Sequence, residues 1–164
     1  MRYDKLQWLF PIAVTLHNAE EAIWMPGWAT DHAAQLPIAS PGSAKIRIAL
    51  LVLTLTAFLL TYLSARRGPR SVWAYLTFGY IVAVLLNVFV PHVPIAIVVR
   101  GYAPGVVTAV LINLPAMSYL AMRAVRDGWV GGKKAVAAAI LVPILGAISI
   151  AAFFSSGKII SYVF

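Results

Sequence analysis

Apolar residues come in five long runs along this chain, each near the length a helix needs to cross a bilayer, separated by short stretches of glycine, proline and basic residues. The runs cover about residues 6–25, 46–63, 72–90, 103–122 and 135–154, with no stretch left over for a soluble domain. Residues 1–164 therefore read as a single all-α integral membrane domain, a five-span helix bundle. Residues 93–100 are too few for a sixth crossing, since eight residues of helix reach only about 12 Å.

The first run is interrupted in a way the others are not. His17, Glu20 and Glu21 stand inside it, and positions three and four after a residue share its helix face. An ionised side chain at mid-bilayer costs about 2.5–3.5 kcal/mol, so two carboxylates would cost roughly 5–7 kcal/mol without compensation. A bound metal is one source of it; Arg47 or Arg100 as counter-ion is another, and alternating protonation along an ion pathway is a third.

Composition narrows the class. Hydrophobic residues make up 62% of the chain and charged residues 11%, with a mean hydropathy of +0.87. A net charge of +8 would suggest nucleic acid in a soluble protein, but here the basic residues cluster at the ends of apolar runs and read as topology determinants. With the N-terminus inside, nine lysines and arginines are cytoplasmic and four are outside, which predicts N-in, C-out at the cell membrane. The first run reads as a retained span and not as a cleaved leader. With no cysteine, imidazole, carboxylate and amide groups are the available ligands.

Proline positions shape the remaining expectations. Pro11 is expected to kink the first span, and residues 26–44, with three prolines and two glycines, read as a loop and a candidate lid carrying His32. Span two lacks reactive groups and reads as scaffold. Span three ends at Pro91-His92-Val93-Pro94, where two prolines should hold the backbone irregular and aim His92 at the outer half of the membrane, level with Glu20 and Glu21. Asn87 and Asn113 read as hydrogen-bonding support behind the ligands, and Tyr102 and His32 can approach from above.

His17-Asn18-Ala19-Glu20-Glu21, early in a small multi-spanning chain, resembles the HXXEE-motif family of membrane proteins. Asn87-Val88-Phe89-Val90-Pro91-His92 and Asn113-Leu114-Pro115 match further features of it, and the resemblance covers most of the chain. It implies that these residues act as one metal-binding site; it carries no reaction with it.

The resulting expectation is a metal site of His17, Glu20, Glu21 and His92 holding iron or zinc, with Glu20 or Glu21 as general base toward a lipid-soluble substrate. A metal-free acid/base isomerase, a cation or proton transporter and a structural subunit of a membrane complex are the alternatives. Membrane lipid and a hydrophobic small molecule are the expected partners, nucleic acid is not, and the reading leaves room for a homo-oligomer.

Overall fold

Backbone surrounded by hydrocarbon must bond within its own segment, so the apolar runs fold as helices, and polar and proline positions decide where each one stops. The computed structural model describes residues 2–32 and 42–163, without the side chains of 156–163. A short α1 (Tyr3–Leu6) precedes α2 (Leu9–Asp31), α3 (Ser43–Arg67) and α4 (Val72–Asn87). A π-helical turn at Val88–His92 leads into α5 (Val93–Val98). After a loop come α6 (Val106–Thr108), a second π-helical turn at Ala109–Asn113, α7 (Leu114–Arg126) and α8 (Gly132–Val163). Among the described residues, four helical stretches are long and apolar enough to cross a membrane: Ser43–Arg67, Val72–Val98, Val106–Arg126 and Gly132–Ser155. The 23-residue α2 is long enough, but it bears His17, Glu20, Glu21 and Asp31 and is not one of the four.

Three proline expectations are corrected. The first long helix does not end at Met25 but continues through Pro26 to Asp31. Pro26 has no N–H to offer the carbonyl of Ala22, and Arg47 Nε takes its place, donating to that oxygen at 3.3 Å. Residues 26–31 are thus helix and not loop; residues 33–41 of the expected lid lie outside the described residues. Pro11 stands in the first turn of α2, where a missing N–H is harmless, and the Gln7 carbonyl accepts the Phe10 N–H instead at 3.1 Å. Pro94 likewise opens α5. The irregular residue is Val90, extended at φ −148°, as the residue before a proline tends to be.

α4 lies at the centre, flanked by α3, α7 and α8, while α2 packs on α3 and reaches the second π turn. Phe10, Ile81, Met117 and Leu120 fill the core. α4 and α8 meet closely at Gly79, where a Cβ would stand 2.6 Å from the Ala138 carbonyl and from the Val142 side chain. Hydrogen bonds between helices set their rotation. Asn18 Nδ2 donates to the Leu50 carbonyl (3.1 Å) and Thr54 Oγ1 (2.8 Å); Thr77 donates to the Leu60 carbonyl (3.0 Å) and Tyr80 to that of Leu53 (3.0 Å). Locking Asn18 to α3 fixes the turn of α2 that points its neighbour His17 into the bundle.

Candidate metal centre

Three stretches deliver the members of the site. α2 supplies His17, Glu20 and Glu21 on one face, Val88–His92 supplies His92, and the loop leading into α6 supplies Tyr102 and Gly105, with Thr108 at the end of α6 itself. Extended Val90 kinks the chain just before His92 and re-aims it, and on the far side of the loop the π-helical turn at Ala109–Asn113 widens its helix by one residue.

The hydrogen bonds fix where the protons are. Thr108 Oγ1 donates to Glu20 Oε2 at 2.6 Å, and the Thr108 N–H reaches the same oxygen at 3.0 Å. Tyr102 donates to Glu20 Oε1 at 2.7 Å. A hydroxyl has one hydrogen, so Thr108 can only accept from His17 Nδ1, 2.9 Å away. Neutral His17 therefore carries its proton on Nδ1 and leaves Nε2 as a bare lone pair. That atom is buried and has no hydrogen-bond partner among the described residues. It lies 3.9 Å from Glu21 Oε1, which in turn is 3.5 Å from His92 Nε2. The two imidazoles meet edge to face, their centroids 4.8 Å apart at 89°. One ligand atom each from His17, Glu21 and His92 can be chosen so that all lie within 4.8 Å of one another. Both histidines are 4% exposed, so solvent cannot compensate for facing acceptors. A cation or a shared proton between them can.

Gly105 presses the group together. At φ +85° it adopts a conformation that disfavours any side chain, and a Cβ there would stand 2.6 Å from His92 Cε1, 2.9 Å from His17 Cε1 and 3.0 Å from Glu21 Cγ.

Of the residues expected from sequence, the fold brings His17, Glu21 and His92 into one group. Asn87 Nδ2 sits 2.9 Å from His92 Nε2, and Tyr102 holds Glu20. Glu20 lies beside the group and outside it, both oxygens engaged by Tyr102 and Thr108. Asn113 is buried at the end of the second π turn; neither its Nδ2 nor its Oδ1 has a partner among the described residues, and it does not line the cavity at the site. His32 closes α2 instead, stacked on Trp28 at 4.5 Å with Nδ1 3.0 Å from the Trp28 carbonyl. Arg47 is engaged with the Ala22 carbonyl, and among the described residues the ion-pair partners of Glu21 are the two histidines. Thr108 and Gly105 are the site residues that sequence reasoning missed. The glycine had a signal, a Pro-Gly pair immediately before a helix; the threonine had none.

A cavity of about 1320 Å³ opens from His17, Glu21 and His92 and runs between α3, α4 and α8 over mostly apolar side chains.

A family described as proteins of unknown function with an HXXEE motif matches residues 8–120. The chain belongs to this family. In this HXXEE protein the motif letters are His17, Glu20 and Glu21, and the matched stretch also contains His92, Gly105 and Thr108, so the whole site falls inside it while α8 falls outside. The chain is also 28% identical over 137 residues to the uncharacterized protein YrkK of Bacillus subtilis (strain 168), covering 83% of this chain and 85% of the relative. No solved structure matches it.

Proposed function

We propose that this protein is a membrane metalloenzyme whose divalent ion, iron or zinc, is held by His17 Nε2, the Glu21 carboxylate and a ring nitrogen of His92. The observation that carries the reading is the Nε2 of His17, unpartnered among the described residues, presented as a lone pair by the Thr108 bond and aimed at the partly buried Glu21 carboxylate and a second imidazole. Two imidazoles and a carboxylate are a borderline donor set that suits such ions. An ion bound there supplies Lewis-acid polarisation of an oxygen or an activated water. Glu20 orients: it accepts three hydrogen bonds from Tyr102 and Thr108, and it holds the Thr108 hydroxyl that sets the His17 tautomer. Glu21, which receives none of those bonds, is the carboxylate that serves the chemistry. The 3.5 Å approach of Glu21 to His92 also favours a second reading, a metal-free acid/base pair acting on an alkene or ring.

The site works within a bilayer in this reading. α2 joins the four apolar helices as a fifth span, its carboxylates compensated at the site, with the N-terminus inside and the C-terminus outside. The substrate is lipid-soluble, since the cavity reaching the site is walled mainly by apolar side chains. Titrating detergent-purified, chelator-treated protein with Co²⁺ tests the assignment: visible ligand-field bands distinct from those of the aqueous ion are expected in wild type and lost in His17→Ala. Bands identical to the aqueous ion in wild type would leave the acid/base reading standing.

A further inference from the structure

We propose that the groove between α3, α4 and α8 binds the aliphatic chain of an acyl amphiphile drawn sideways from the bilayer, with its oxygen-bearing head at His17, Glu21 and His92. The proposal names the substrate class of the site above, and rests on that reading only for what happens at the head. α4 and α8 are in close contact at Gly79, Ala138 and Val142 and then part. Pro143 follows directly in α8, where it removes the bond to the Ala139 carbonyl and lets the helix lean away. One turn on, at Gly146, a Cβ would meet nothing within 4 Å. α3 forms the other wall, and the parting of the helices leaves the groove open to the side.

Its length and lining select the occupant. Along α3 it is lined from Lys45 to Leu60, a helical rise of about 22 Å, within the roughly 30 Å of a hydrocarbon core. A volume of about 1320 Å³ along that length leaves room for an aliphatic chain. The lining also has a direction. Leu53, Leu60 and Leu76 line the deep part; His17, Glu21 and His92 lie at the other end; among the described residues Lys45 is the one lysine or arginine that lines it, as does Trp28. A chain with a carboxyl or ester head matches that gradient, apolar at depth and oxygen at the imidazoles, with Lys45 placed to receive negative charge.

The test uses the full chain in phosphatidylcholine nanodiscs and a palmitic acid analogue carrying a mid-chain diazirine. On illumination, adducts are expected on Leu53, Thr56 and Leu60 of α3 and on 142–150 of α8, and excess palmitate should suppress them. Gly146→Phe, which fills the groove at an open position, should cut labelling at least fivefold with its melting temperature retained, and Gly146→Leu should cut it by less. Adducts spread over Leu51, Leu55 and Leu59 on the outer face of α3, with no competition and no effect of Gly146→Phe, would overturn the proposal. So would a dimer whose cross-links bury the groove. The His17→Ala variant separates this idea from the metal reading: groove labelling that persists in a protein found to bind no metal defeats only the latter.

Discussion

Gly105→Ala probes the site without removing any of its polar groups. The added methyl would lie 2.6 Å from His92 Cε1 and 2.9 Å from His17 Cε1, where ordinary contact begins at 3.4 Å. The rings must therefore retreat by about 0.8 and 0.5 Å, or the loop must move by a similar distance. A side chain at φ +85° adds about 1–2 kcal/mol of backbone strain, so relaxing the loop is not free either. Metal sites tolerate ligand displacements of only about 0.2 Å, well below either shift. The expected result is a loss of metal affinity of at least tenfold, about 1.4 kcal/mol, with helical content unchanged. Competition between the protein and a chromophoric chelator measures the first and circular dichroism the second. A variant that is as helical as wild type and holds metal as tightly would refute the idea that Gly105 presses on a ligand group.

Thr108→Val keeps the shape of the side chain while removing both the acceptor for His17 Nδ1 and the donor to Glu20; metal affinity should fall about 10–100-fold by the same competition assay, with Thr108→Ser restoring most of it. Gly79→Leu inserts a side chain where a Cβ already meets the Ala138 carbonyl at 2.6 Å, and should destabilise the α4–α8 contact by about 1–3 kcal/mol, read as a lower melting temperature in detergent. Reporter fusions at both ends should place the N-terminus inside and the C-terminus outside; a cytoplasmic C-terminus contradicts the fifth span.

Much of the site could be read in the sequence because helix periodicity is local: three and four residues after His17 is the same face in any helix, and a histidine beside two prolines leaves its helix at a defined point. What tertiary contacts decide was not legible. Pro26 reads as a helix stop until Arg47, from another helix, supplies the donor that the Ala22 carbonyl lacks, which also removes Arg47 as counter-ion to the glutamates. Glu20 and Glu21 are equivalent by spacing, and only the loop from Tyr102 to Thr108 tells them apart, by engaging one and leaving the other to the histidines. Thr108 stands in an apolar run with no mark of its role. Asn113 has polar character and burial but no bond to the site, so spacing overstated its part.

The central claim is that His17, Glu21 and His92 hold a metal while Glu20 orients them from outside. Elemental analysis of the purified protein beside its Glu21→Gln and Glu20→Gln variants tests it most directly. The account predicts about one first-row metal per chain in wild type, near-complete loss in Glu21→Gln, and substantial retention in Glu20→Gln. A fully stable wild type without metal, or equal loss in both variants, would contradict it.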